Sequence, residues 1–215
     1  GLLTISEGNK WTTNEVLMNE FQSIGFYMSD HPLKDCEKYL RESKIKSYGE
    51  FIDSNESNGV VAGTIMSIQE KKSIKGNPFA IIKFSDLERE FELFLFSDLL
   101  INNRSKLKTA NSFALTLQKD TSASNSSINR INIKNIVEIN ELINTVHEKV
   151  TIEIKDKSNF NQLKDLLKEM GKTKVAIKIS DQSKNYIFEL KNPRKFNFQT
   201  FSSIKDKEFI KKISF

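Results

Sequence analysis

The chain has 215 residues, enough for one large domain or two small ones, and its 38% hydrophobic content suffices for a packed core. Thirty-three Lys and Arg against 28 Asp and Glu leave a net charge of +5, a sign that suits a polyanionic partner. A lone cysteine, Cys36, excludes an internal disulfide and a cysteine-based metal site, and no run approaches the 18 apolar residues of a membrane helix.

Residues 1–55 read as short helices. Thr12-Thr13-Asn14-Glu15 has the form of a capping box, after which Leu17, Phe21 and Ile24 recur at helical spacing until Gly25 supplies a stop. Pro32, in Asp30-His31-Pro32-Leu33, suits the first turn of a second helix with Leu33, Cys36 and Leu40 on one face. Ile45, Tyr48 and Ile52 suggest a third, and Ser54 to Gly59 is a polar linker.

The period changes to that of strands in residues 56–144. Val60–Gln69, Phe79–Phe84, Phe91–Phe96, Ser112–Gln118 and Arg130–Ile139 read as five strands. A basic turn, Lys71 to Pro78, joins the first two, a short helix over Ser97–Leu107 follows the third, and a Ser/Asn-rich loop over Lys119–Ser127 precedes the fifth. Three strands, a helix and two strands is the element order of an OB-fold barrel, whose strand 2–3 face binds oligonucleotides.

Residues 145–215 begin with an alternating strand, Val150, Ile152 and Ile154. A helix from Ser158, with Phe160, Leu163, Leu167 and Met170 on one side, is closed by Gly171. Val175–Ile179 and Tyr186–Leu190 form two further strands, and a basic, Phe-containing tail ends the chain. The expected fold is therefore α+β: short N-terminal helices, a five-stranded OB-fold β-barrel, and a small β-α-β-β domain.

No nucleophile triad, phosphate loop or dinucleotide fingerprint is present in the sequence, and His31 and His147 lack ligand-like neighbours. Glu88, Glu90 and Glu92 would share one face of the third strand, and this reads as a solvated face rather than a cation site. Asp30-His31 reads as a capping turn rather than a catalytic dyad. Single-strand binding requires cations that track phosphates beside rings that stack bases. Lys71, Lys72 and Lys75 in the basic turn, with Phe79 and Lys83 on one face of the second strand, meet that description. Lys119 and Arg130, at the edges of the Ser/Asn-rich loop, are the weaker candidates.

Residues 20–33, EFQSIGFYMSDHPL, resemble the E-x-x-x-x-G-[FL]-Y-[LM]-[ST]-x-H-P-[LI] segment of bacterial DNA polymerase III alpha subunits. Trp11, Ala62-Gly63, the turn through Lys72 and Gly76, and Phe91 to Phe96 also look like that family. The resemblance covers residues 11–140 well, and 148–215 by position and element order. It implies a non-catalytic C-terminal piece, in which an OB domain binds single-stranded template and a final domain binds the clamp-loader tau subunit. It also implies that the polymerase active site with its Mg2+ lies upstream, that this piece needs no cofactor, and that sliding-clamp binding resides in a peptide just before Gly1. The family often carries Gly in the strand 2–3 turn where this chain has Arg89. With no signal peptide and no membrane segment, the chain reads as cytoplasmic. An OB-fold protein-interaction scaffold without DNA binding and a tRNA-binding OB module are the competing readings.

Overall fold

The structure is a computed structural model that describes residues 15–17, 30–120, 130–181 and 184–215. Of the first expected helix only Glu15–Leu17 is described, and it is helical. The Thr12 cap, Phe21, Ile24, Gly25 and the loop 121–129 lie outside the described residues.

Between residues 30 and 57 lie two helices, α1 (Glu37–Glu42) and α2 (Tyr48–Asp53). Residues 32–36 form consecutive tight turns instead of the start of α1, with Lys34 N–H donating to His31 O and Glu37 N–H to Lys34 O. Helix α2 begins in a capping box, in which Ser47 Oγ accepts from Glu50 N–H and the Glu50 carboxylate accepts from Ser47 N–H.

Five antiparallel strands follow: β1 (Asn58–Lys72), β2 (Pro78–Ser85), β3 (Glu90–Phe96), β4 (Ser112–Asp120) and β5 (Arg130–Glu138). Their order is β3-β2-β1-β4-β5, and the long β1 is divided between two ladders. Asn58–Thr64 pairs with β4 and Thr64–Lys72 with β2, and the ladder with β2 is bulged between Ile65 and Ser67. A bulge bends a strand and lets one segment serve two directions of a curved sheet.

The expected barrel does not close. The outer strands β3 and β5 approach one another without sharing a ladder, so the sheet stays open. Helix α3 (Ser97–Asn103) follows β3 directly and packs against β2, β3 and β5. It inserts Leu100 into the core at the gap that strand pairing would have sealed. The turn between β2 and β3 is closed by Asp86, whose Oδ1 accepts from Glu88 N–H and Arg89 N–H, both at 2.8 Å. The Asx turn explains how Arg89 can stand where a glycine was expected: none of residues 86–89 takes a left-handed conformation.

After α4 (Ile139–Ile143) comes a four-stranded sheet, β6 (Lys149–Ile154), β7 (Met170–Asp181), β8 (Lys184–Glu189) and β9 (Ile210–Ser214), in the order β8-β7-β6-β9. β6 and β7 are parallel, joined through α5 (Phe160–Leu166), and the other pairs are antiparallel. The β-α-β-β order holds, but the residues expected as a tail fold as α6 (Phe198–Ile204) and β9 and bury Phe196, Phe201 and Phe209 in the second core.

Gly171 does not end a helix. It lies in β7, where an added Cβ would stand 2.4 Å from the backbone nitrogen of Lys195. The glycine is needed because the 193–195 segment crosses the strand at backbone contact.

Among the described residues three apolar clusters result, and α1 reaches two of them. Leu33, Cys36 and Leu40 pack with Ala62 and Ala114 of the first sheet and with Ile139 of α4. Tyr39 points the other way, into the second core, where it meets Phe198, Phe201 and Phe215 edge-on or tilted at 4.9–5.4 Å. Its hydroxyl hydrogen-bonds His147 Nε2 at 2.6 Å, and burial pushes its pKa up to about 12.

Gly171→Ala is expected to lower unfolding free energy by about 2 kcal/mol or more, since backbone rather than a flexible side chain must yield. A urea midpoint within error of the parent would rule out the crossing.

Both histidines are held neutral. His31 Nδ1 accepts from Leu33 N–H at 3.1 Å, so its proton sits on Nε2 and is donated to Ser85 Oγ at 2.9 Å. Burial lowers its pKa, against the opposing pull of Asp86, Ser85 and Asp30. Burial likewise lowers that of His147. The unfolded chain therefore takes up protons first, and stability present above about pH 6.5 should fall as pH drops below it. Urea midpoints at pH 7.5 and 5.5 should show that fall, and His31→Gln/His147→Gln should flatten it. A parent protein equally stable at both would refute it.

Candidate nucleic-acid interface

In β2 the alternation is strict: Ala80, Ile82 and Phe84 are buried, so Phe79, Ile81 and Lys83 face outward. In β3, Phe91, Leu93 and Leu95 face the core, which leaves Glu90, Glu92, Phe94 and Phe96 outside. Register then places Phe79 opposite Phe96, Ile81 opposite Phe94 and Lys83 opposite Glu92. On the other side of β2, Lys71 stands opposite Phe79, Gln69 opposite Ile81 and Ser67 opposite Lys83.

The outer face of β1–β3 is thus three rows deep. Lys71–Phe79–Phe96 and Gln69–Ile81–Phe94 make an apolar floor with a cation at its edge, and Ser67–Lys83–Glu92 closes it with polar groups. Phe94 lies 6.4 Å from Phe79 and 6.4 Å from Phe96, nearly parallel to the latter at 14°. Phe94 and Phe96 are 43% and 42% exposed, unusual for large rings. A groove of about 750 Å³ runs over this floor, bordered by Tyr48, Ser73 and Pro78.

The β1–β2 turn rises beside the floor. Gly76, at φ 82°, allows the tight reversal, and Gly76 N–H donates to Ser73 O. Lys71, Lys72 and Lys75 are exposed, and among the described residues they form no ion pair. The neighbouring carboxylate of Glu70 is held by both Arg104 Nε and Nη2, at 3.1 and 2.9 Å.

The other sequence candidates fare differently. Lys83 is on the expected face, but its ammonium is paired with Glu90 at 2.5 Å. Lys119 is 9% exposed and turns inward. Its ammonium donates to the carbonyls of Ile52 and Ser54 at the end of α2 and lies 4.9 Å from the centre of the Phe51 ring. It caps a helix whose last carbonyls lack intrahelical partners, and it cannot reach a bound strand. Arg130 opens β5 opposite Asp120, and its side chain lies outside the described residues.

Phe94 and Phe96 were not among the sequence candidates, although the signal was in plain view. The count that puts Glu90 and Glu92 on one face of β3 continues to Phe94 and Phe96. Glu88 leaves that row: it sits in the turn and accepts from Ser47 Oγ at 3.0 Å. Among the described residues no group of three or more His, Cys, Asp or Glu is placed to hold a metal ion, and no helix is long and apolar enough to cross a membrane.

The fold defines an α+β chain of two sheets, one of which exposes a floor of rings edged with lysine. No protein-family model matches it. It is similar to the DNA polymerase III subunit alpha of Buchnera aphidicola, at 34% identity over 96 residues, 43% of this chain and 8% of that protein. The Caulobacter vibrioides subunit matches at 26% over 117 residues, 53% of this chain and 10% of that protein. That of Rickettsia felis matches at 23% over 197 residues, 86% of this chain and 16% of that protein, a length that must include part of the second sheet. The chain is similar to a stretch of these bacterial DNA polymerase III alpha subunits, and it spans less than a fifth of the length of these curated relatives.

Lys119→Met should cost about 2 kcal/mol of stability, because it strips charge-assisted partners from two carbonyls. The same variant should change oligonucleotide affinity less than twofold. A selective loss of affinity at unchanged stability would return Lys119 to the interface.

Proposed function

We propose that the chain is a non-catalytic, C-terminal part of a replicative DNA polymerase III alpha subunit, and that the outer face of β1–β3 binds single-stranded template. The observation that carries this reading is the floor of Phe79, Phe94 and Phe96 beside Lys71, Lys72 and Lys75, which form no ion pair among the described residues. Every base has a π-face, so rings stack any sequence, at about 1–3 kcal/mol per base. The strand order supports the reading, since the face of strands 2 and 3 is where OB folds take oligonucleotides. In this reading Lys71, Lys72 and Lys75 meet phosphates, Phe79, Phe94 and Phe96 stack bases, and Lys83 braces the acidic margin of the floor.

The polymerase active site and its Mg2+ belong to the parent protein outside this stretch. The second sheet, with α5 and α6, is the module that docks the clamp-loader tau subunit, a role supported by the resemblance alone. Capture of tau by the 215-residue chain would support that docking role, and a failure of capture would remove it.

Titration of labelled oligo-dT at 50 and 200 mM salt should give weak binding that falls with salt, each phosphate contact adding about 0.7 to the log–log slope. Phe94→Ala/Phe96→Ala should weaken binding about tenfold or more with the slope unchanged. Lys71→Glu/Lys72→Glu/Lys75→Glu should weaken it and flatten the slope. Negligible binding at both salts would overturn the proposal. Affinity for a protein partner that depends on the rings but not on salt would favour an interaction scaffold.

A further inference from the structure

The net positive charge of the chain does not come from the part that carries the ring floor. Residues 145–215 hold 16 Lys and Arg against nine Asp and Glu, a net of +7, whereas residues 1–144 hold 17 against 19. The excess resides in the second module.

Part of it is set in a row. Val150 and Val175 are buried, so their neighbours Lys149 and Lys174 turn to the opposite face of the sheet, where both are exposed. These two are direct partners across the parallel β6–β7 ladder. On the far side of β7, β8 ends at Glu189, and Leu190 N–H donates to Val175 O at 2.9 Å, which leaves Lys191 in the bend that follows one residue beyond this bond. Lys172 shares the face two residues before Lys174, and Arg194 bridges to Thr173 at the same end.

Two lysines thus stand side by side on adjacent strands about 4.8 Å apart, and a third lies in the bend just past β8. Like charges directly opposite in a sheet destabilise it. Among the described residues Lys149, Lys172, Lys174 and Lys191 form no ion pair. The acids nearby are few or engaged: Glu169 is held by Lys195 at 2.7 Å, Glu153 by Lys178 and Ser180, and Glu148 and Glu189 flank the row. Among the described residues the row itself holds lysines and no aromatic ring to stack an unpaired base.

We propose that Lys149, Lys174 and Lys191, with Lys172, form a second DNA site that takes the phosphate backbone of a duplex. A duplex offers one charge per ~1.7 Å of axis, more than a single strand, and a flat cationic sheet edge without stacking rings reads that charge alone. The site shares no residue with the β1–β3 floor, and it stands or falls independently of the function proposed above.

The test uses the 215-residue chain with a labelled 16-base-pair blunt duplex and, separately, oligo-dT, at 50 and 200 mM salt. The parent should bind the duplex at low salt. Lys149→Glu/Lys174→Glu/Lys191→Glu should weaken duplex binding at least tenfold and reduce the log–log slope by about 2 to 3, while oligo-dT binding changes less than threefold. Phe79→Ala/Phe94→Ala should do the reverse. An absence of duplex binding, or a triple variant that still binds duplex like the parent, overturns the site. So does polyglutamate that displaces the duplex as well as unlabelled duplex of equal charge, which would identify an acidic protein as the occupant. A chain that loses only duplex binding in the triple variant, yet never binds oligo-dT, would sustain this site and sink the single-strand reading.

Discussion

The period-two geometry of β2 and β3 is the constraint on which the first sheet and its surface depend. Ala80, Ile82, Phe84, Phe91, Leu93 and Leu95 are all buried in one core. A slip of one residue in either strand would exchange the two faces. The core therefore fixes the surface: with those six inside, Phe79, Ile81, Phe94 and Phe96 have only the outer face to occupy. A protein that exposes rings on the outer face of a sheet forgoes the burial that each would otherwise contribute, about 1.5–3 kcal/mol for a large apolar side chain. That loss is reasonable where the rings have a partner.

The two sheets are joined by apolar packing more than by charge. Most of the ion pairs join exposed groups, such as Lys34–Glu37, Lys106–Glu141 and Lys195–Glu169, and exposed pairs stabilise little. Helix α1 is the exception in importance. Six residues long, it would not persist alone in water. It is held because Leu40 is buried against the first sheet and Tyr39 in the second, so its two faces are each completed by a different core.

Much of the fold was legible because it is written in alternation. The five strands of the first sheet, β6 to β8 of the second and α2 each follow from a local pattern, and the structure moves their ends by a few residues only. What could not be read depended on contacts distant in sequence. Gly171 looks like a helix stop until the crossing segment at Lys195 is seen. Lys119 looks like a loop-edge cation until α2 is placed beneath it. The tail could not be recognised as core because α6 is too short to show a period, although Asn197 carries a helix-cap signal, accepting from Thr200 N–H at 3.0 Å. The open gap between β3 and β5 was likewise invisible, since nothing in the strands themselves reports that α3 fills it. Of the candidate site, the charge of Lys71 and the ring of Phe79 are legible from residue type beside a basic turn. Phe94 and Phe96 are legible only through the alternation of β3, which puts them on the same face as Glu90 and Glu92.

Tyr39 has a consequence for how the molecule is made. Its ring sits among Phe198, Phe201 and Phe215, separated from it by most of the chain. A chain emerging from the ribosome can pair β1 to β5 early, from contacts within some 80 residues, while the aromatic pocket for Tyr39 does not yet exist. The first sheet must therefore wait with one side of α1 uncovered until the stretch from Phe198 to Phe215 has been made.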